Sequence, residues 1–261
     1  MCGIVGYVGN QQAKGVLLNG LKRLEYRGYD SSGIATLDSK GEPHLVRAVG
    51  KIAELEKALV KSSPSGCMGI GHTRWATHGG VTVENAHPHH VDKIFLVHNG
   101  IIENFAELRD FLTEKGYHFL SQTDTEVIPN LIHYYFSQEE ESEEKFLRSF
   151  KRACDDLKGS YAIQVVSALY PDRILVVRKD SPLVIGTCEN ENHIASDIPA
   201  ILTYTKNFYL LNDKEYAVIY KDRICFYDSN LKQHNKAMNN IDWDSTAATK
   251  DGYEDFMLKE I

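Results

Sequence analysis

The stretch MCGIVGYVGN, residues 1–10, places a cysteine directly behind the initiator methionine. Residue 2 is small, so removal of Met1 by methionine aminopeptidase is expected. Cys2 would then carry a free α-amine beside its own thiol. Such an amine has a pKa of about 7.7–8.0, so a useful fraction is neutral near pH 7. It can take the thiol proton, directly or through one water, as an N-terminal amine does for threonine nucleophiles. Gly3 leaves room for close backbone approach. Ile4, Val5, Tyr7 and Val8 read as a buried strand that anchors the terminus. The bland alternative is a mobile end with an inert cysteine, and the rest of the chain has to decide between them.

The chain has 261 residues, 43% hydrophobic and 25% charged, with a net charge of −7. That is a globular composition. No basic patch is interleaved with aromatics, which argues against a nucleic-acid partner. No apolar run reaches the roughly 20 residues needed to cross a bilayer, and no secretory signal opens the chain. The five cysteines, Cys2, Cys67, Cys154, Cys188 and Cys225, are scattered without a CxxC pair. They argue against a disulfide framework and fit a reducing cytoplasm.

Outward from the first strand, residues 12–25 have helical spacing at Val16, Leu17, Leu21 and Leu24. The helix breaks into Arg27-Gly28-Tyr29-Asp30-Ser31-Ser32-Gly33. Asp30 and the serines read as a turn, whereas Arg27 sits where a helix end can face a site. Strands are expected at Ile34–Leu37, His44–Val49 and Cys67–His72, with a helix over Ala53–Val60. The third strand runs into Thr73-Arg74-Trp75-Ala76-Thr77-His78-Gly79-Gly80. Arg74 suits a planar carboxylate. Thr77 and the loop backbone add donors, Trp75 can cover a ligand, and the two glycines let the loop open and close.

Six histidines fall between residues 72 and 98. HEXXH is absent, and the proline in His87-Pro88-His89-His90 forbids i, i+4 spacing on a helix. Structural histidines beside a site are therefore preferred over a metal centre. Ile94–Val97 reads as a strand ending in His98-Asn99-Gly100. Locally, Asn99-Gly100 reads as a hairpin turn. Its alternative is an oxyanion hole made of the Asn99 carboxamide and the Gly100 N–H. Asn104 is placed as a cap for a helix over Phe105–Leu112. Thr123 or Asp124 is placed as a cap for a helix over Val127–Phe136, the alternative for Asp124 being to accept from a ligand ammonium. Residues 138–144, QEEESEE, read as an acidic solvated turn, and Phe146–Leu157 as a further helix.

From Ser160 onward the chain reads as antiparallel strands. A hairpin of Ser160–Leu169 and Arg173–Arg178 turns at Tyr170-Pro171-Asp172. Strands follow at Leu183–Thr187, His193–Ala195, Thr205–Leu211, Tyr216–Ile219 and Arg223–Tyr227, and a capped helical turn at Ser196–Ala200. Gly252–Ile261 has helical spacing without a C-cap. The natural polypeptide is expected to continue beyond it.

CGIVGYVG, LEYRGYDSSGIA, GIGHTRWATHG, HNGIIENF and SQTDTEVI occur in the order and spacing of one family. Together they resemble the glutaminase domain of the glutamine–fructose-6-phosphate aminotransferases, which are class II, N-terminal-nucleophile glutamine amidotransferases. The resemblance spans the chain, and its specific motifs lie within residues 2–128. It implies an α+β fold, a four-layer αββα sandwich of two antiparallel sheets between helices. It implies a glutaminase domain over residues 2–240 and a connection over 241–261 to a sugar-phosphate isomerase domain. Cys2 would be the nucleophile, with Asn99 and Gly100 as oxyanion hole. Arg74, Thr77 and His78 would bind the glutamine α-carboxylate and Asp124 its α-ammonium. Arg27 would lie near the nucleophile, and Trp75 would cover the site and gate ammonia. No cofactor or metal is implied. The implied partners are L-glutamine, fructose 6-phosphate in the isomerase domain, and a second copy in a full-length homodimer. Amidophosphoribosyltransferase and asparagine synthetase are the nearest rivals, and RLEYRGYDSSG and HTRWATHGG argue against both. A glutamine-sensing domain without catalysis is the rival of a different class.

Overall fold

A computed structural model describes residues 2–240. The strands are β1 (Gly3–Val8), β2 (Ser31–Leu37), β3 (Pro43–Val49), β4 (Met68–Arg74), β5 (His89–Val91), β6 (Ile94–Ile102), β7 (Gly159–Ser167), β8 (Tyr170–Lys179), β9 (Val184–Cys188), β10 (Glu191–Ala195), β11 (Asn207–Leu210), β12 (Tyr216–Ile219), β13 (Ile224–Tyr227), β14 (Gln233–His234) and β15 (Asn239–Asn240). The helices are α1 (Ala13–Arg23), α2 (Ile52–Ser62), α3 (Phe105–Glu114), α4 (Val127–Phe136) and α5 (Lys145–Asp156). One sheet runs β15-β11-β9-β10-β1-β4-β2-β3 and the other β14-β13-β12-β8-β7-β6-β5. The neighbours paired within both sheets are antiparallel.

Alternation along the strands builds four layers. In β1, Ile4 and Val8 point between the sheets, where they meet Ile70, Val97, Val176 and Ala217. Val5 and Tyr7 point the other way, onto Val16, Leu17 and Leu21 of α1 and Leu55 and Leu59 of α2. In the second sheet, Phe95 and Val97 of β6 face the middle layer. Ile94 and Leu96 face α4 and α5 through Leu131, Ile132 and Phe150. Every residue of β1 is buried because both of its faces are covered, which is why its sequence is apolar throughout rather than alternating. The αββα sandwich expected from the resemblance is the observed fold.

Several local expectations change. Asn99-Gly100 is not a hairpin turn: both residues lie inside β6, opposite Ala162 and Tyr161 of β7. Tyr170-Pro171-Asp172 is likewise not a turn but the start of β8. Pairing between β8 and β12 begins only at Ile174, and the β7–β8 register shifts between Val165 and Ser167. The proline therefore sits where a missing N–H disturbs no regular ladder. Ser31 and Ser32 belong to β2 rather than to a turn. Asn104 stands at the head of α3 without capping it. Its carboxamide instead donates to the Asp156 carbonyl and accepts from the Lys158 N–H. Neither Thr123 nor Asp124 caps α4, whose N-cap position is Glu126. The expected connection 241–261 and the helix at Gly252–Ile261 lie outside the described residues.

Candidate active site

Strand β1 begins at Gly3, so Cys2 is held at the mouth of the sandwich. The register pairs Gly3 with Thr73 of β4, which brings the start of the loop after Arg74 against the cysteine. The Trp75 N–H donates to Cys2 Sγ at 3.2 Å, and the thiol faces the Trp75 carbonyl at 3.5 Å. Burial pushes the Cys2 thiol pKa up, and the backbone bond from Trp75 partly opposes this. The thiol is therefore protonated at neutral pH, and a base is needed to make it a nucleophile.

Asn99 borders the cysteine from β6. Its Nδ2 donates to the Cys2 carbonyl at 2.9 Å. His72 Nε2 lies 3.1 Å from Asn99 Oδ1 and 3.2 Å from the His98 carbonyl. Both partners are acceptors, so the His72 proton sits on Nε2. That contact fixes the carboxamide with its N–H₂ toward Cys2, and one of the two N–H groups stays free for a developing oxyanion. Gly100 follows at φ 133° and lines the cleft.

Cys2, Arg74, Trp75, Thr77, His78, Gly100 and Asp124 line one cleft. Arg74 as a residue is almost buried, at 4% exposure. Its Nη1 donates to the Gly80 carbonyl at 3.0 Å, and its Nη2 to the carbonyls of His78 at 2.5 Å and Gly79 at 3.3 Å. Five N–H donors are available to an arginine, so some remain for a carboxylate. Asp124 Oδ2 accepts from the Ile102 N–H at 2.8 Å, which leaves the second oxygen of the group for a ligand. A cation and an anion in one cleft match the two charged groups of a free amino acid. Thr77 is exposed and His78 half-buried, the His78 ring lying edge-on to Phe105 at 6.0 Å. Trp75 is 47% exposed, edge-on to Tyr29 at 5.8 Å. Arg27 does not line this cleft. It pairs with Asp197 Oδ2 at 2.5 Å and donates to the Tyr26 hydroxyl at 3.1 Å.

Sequence reasoning missed the residues that hold the loop. Asp30, read as a turn former, accepts from the Ala76 N–H at 2.8 Å. Gln122 accepts from Gly80 N–H and from Asn85 Nδ2, both at 3.2 Å. Asn85 Oδ1 in turn accepts from the Gln122 N–H at 2.8 Å. The polar letters were visible, but their pairing across 37 residues was not.

The histidines stack behind the cleft. His72 and His87 have ring centroids 4.0 Å apart, and His87 and His89 4.7 Å. Burial lowers the His72 pKa to about 3 and those of His87 and His89 well below the usual value, with neighbouring His and Arg charges adding to it. Burial also lowers that of His98. All four are neutral in the fold, whereas the unfolded chain binds their protons below pH 6.5. Their contribution is complete above pH 6.5 and is lost as pH falls from there toward 3. His72 alone costs about 2 kcal/mol between pH 6.5 and 5. Thermal melts are expected to show Tm falling steeply over that window; a flat Tm would contradict neutral burial of the cluster.

Residues 72–203 match a family described as a glutamine amidotransferase domain. Glutamine–fructose-6-phosphate aminotransferase [isomerizing] of Clostridium acetobutylicum is 48% identical over 263 residues, covering 100% of this chain and 42% of the relative. That of Clostridium perfringens is 49% identical over 266 residues, again covering 100% and 42%. That of Methanosarcina mazei is 47% identical over 268 residues, covering 100% and 43%. This chain thus spans less than half the length of these relatives. Among solved structures, glutamine phosphoribosylpyrophosphate amidotransferase from B. subtilis superposes with TM-score 0.75 at 23% identity, covering 89% of this chain and 50% of that one. A glutamine aminotransferase class-II domain protein from Silicibacter pomeroyi gives TM-score 0.59 at 16% identity, covering 87% and 99%. At these identities the two structures speak to the fold. No helix among the described residues is long and apolar enough to cross a membrane.

Proposed function

We propose, from the premise that this chain belongs to the glutamine amidotransferase family, that residues 2–240 form its glutamine-hydrolysing unit with Cys2 as nucleophile. The observation that carries this reading is the meeting of Cys2 Sγ, Arg74 and Asp124 in one cleft, with Asn99 Nδ2 2.9 Å from the Cys2 carbonyl. Once Met1 is removed, the α-amine of Cys2 takes the thiol proton. The thiolate attacks the side-chain carboxamide of L-glutamine. Arg74, helped by Thr77 and His78, holds the α-carboxylate, and Asp124 holds the α-ammonium. The tetrahedral oxyanion is met by Asn99 Nδ2–H and the Gly100 N–H. The protonated amine returns its proton to the leaving nitrogen, the C–N bond breaks and ammonia departs. Water then hydrolyses the thioester to glutamate.

By analogy with relatives more than twice its length, this unit would pass ammonia to fructose 6-phosphate and yield glucosamine 6-phosphate. Residues 241–261 would lead into the isomerase domain that binds the sugar. Trp75 would gate the ammonia, and Arg27 would help shape the site through its pair with Asp197. The reading includes a homodimer of the full-length protein in a reducing, cytoplasmic setting, which suits five free cysteines.

Glutamate release by purified protein tests the proposal, with Asn99→Ala as the discriminating variant. Loss of one oxyanion donor is expected to lower kcat about 10²–10³-fold with little change in KM. A change confined to KM would assign Asn99 to binding and remove its oxyanion role.

A further inference from the structure

The β9–β10 hairpin carries a second cluster of ligand-type side chains, remote from the cleft. Cys188 and Glu191 are register partners across its tight turn, where Asn190 holds φ 58°. His193 follows on β10, opposite Tyr7 of β1. One ligand atom from each of Cys188, Glu191 and His193 lies within 4.8 Å of the others. Tyr7 is five residues along β1 from Cys2, roughly 17 Å at strand rise.

His193 is fully buried, and neither ring nitrogen has a hydrogen-bond partner. Glu191 Oε1 stands 3.7 Å from Nε2, too far for a hydrogen bond. A buried imidazole without a partner needs an explanation. The groups around it are already arranged. Glu191 Oε2 accepts from the Tyr7 hydroxyl at 2.8 Å and from Gln11 Nε2 at 3.0 Å, which leaves Oε1 toward the histidine. The His193 ring is stacked on Tyr204 at 4.4 Å and flanked by Tyr7 at 5.1 Å. Outer hydrogen bonds and packing of this kind fix the ligands of metal sites. Cys188 and Glu191 are only half-buried, which gives an ion a route in.

We propose that Cys188, Glu191 and His193 form a binding site for a divalent cation of the zinc class, with water in the fourth position. Sulfur, imidazole nitrogen and carboxylate oxygen are the donors such an ion takes. The Cys188 thiol gives its proton to solvent on binding and releases its contact with the Tyr204 carbonyl, now 3.3 Å away. Thiolate and carboxylate together balance the two positive charges, so the occupied site is neutral. Tetrahedral bonds of about 2.0–2.3 Å place donor atoms roughly 3.3–3.8 Å apart. Closure therefore needs an inward shift on the order of 1 Å, within reach of the Cys188 and Glu191 side chains. The ion would clamp the hairpin to β1 through Glu191 and Tyr7.

The test titrates Co²⁺ into the full chain carrying Cys2→Ala, so that no thiol at the cleft responds. One equivalent is expected to give a thiolate-to-cobalt charge-transfer band and tetrahedral visible bands, both displaced by Zn²⁺. Adding Cys188→Ser should remove the charge-transfer band and weaken Zn²⁺ binding at least tenfold. Glu191→Gln, which keeps side-chain volume, should also weaken it while the circular dichroism stays native. Zn²⁺ at 100 times its Kd should raise Tm by about 5–10 °C. Absence of the band, or its survival in Cys188→Ser, would overturn the proposal and leave a hydrogen-bonded cluster only.

Discussion

A Cys2→Ala variant is expected to release glutamate at least about 10⁴-fold more slowly than the parent, because among the described residues Cys2 carries the one thiol lining the cleft and the acyl intermediate forms on it. Residual turnover would come only from binding and the oxyanion donors. The fold should be almost untouched. Among the described residues the hydrogen bonds of Sγ go to the backbone N–H and carbonyl of Trp75, whereas the anchoring bonds of this end use the Cys2 carbonyl and the β1 ladder. Tm is therefore expected to fall by no more than a few degrees. Alanine at position 2 also leaves Met1 removable, so processing and chemistry are tested apart. Parent protein that retains Met1 should be as inactive as Cys2→Ala, since the amine is then locked in a peptide bond. Glutamate release near the parental rate from Cys2→Ala would rule out the thioester mechanism.

Gly100→Ala should act through both stability and catalysis. Gly100 lies at φ 133°, a region closed to residues with a Cβ. An added Cβ would stand 2.0 Å from the Ser160 carbonyl oxygen and 2.7 Å from its carbon. Those atoms belong to the neighbouring strand, so no side chain can swing aside. The β6–β7 pair would have to part where the oxyanion donors sit. Strain and clash together should cost about 3 kcal/mol or more, a fall in Tm of roughly 6–12 °C. Protein that still folds should lose kcat by at least the 10²-fold typical of one oxyanion donor. A thermal melt and an activity assay check both effects. Parental Tm with parental kcat would show that neither the backbone geometry nor the donor matters.

The glycine also shows where sequence reading stops. Asn-Gly is the commonest signal for a tight hairpin, and local sequence cannot show that β7 pairs alongside and draws both residues into a nine-residue strand. The same limit applies at Asp124. An acidic residue just ahead of a helix reads as a cap, but its carboxylate is taken by the Ile102 N–H, 22 residues earlier in the chain. Helices α1 to α5 were all legible to within a few residues, α1 from apolar residues at helical spacing, and the apolar face of each meets one sheet. Strand β5 was lost in the run of histidines, since three residues give too short a pattern to read. Cys2, Arg74 and the Asn99-Gly100 pair could be singled out by residue type. Their meeting in space came from the family resemblance, because periodicity alone leads only as far as α+β. His72 was seen as one structural histidine among six. Its part in orienting the Asn99 carboxamide needs the third dimension.

The most direct measurement is peptide mass spectrometry after incubation with 6-diazo-5-oxo-norleucine, an electrophilic analogue of glutamine. The expected result is one adduct, on Cys2, in a peptide whose first residue is Cys2. It would join processing, nucleophile and substrate recognition in one spectrum. An unmodified Cys2 at the head of a correctly processed chain would contradict the assignment of Cys2 as the glutamine-attacking nucleophile.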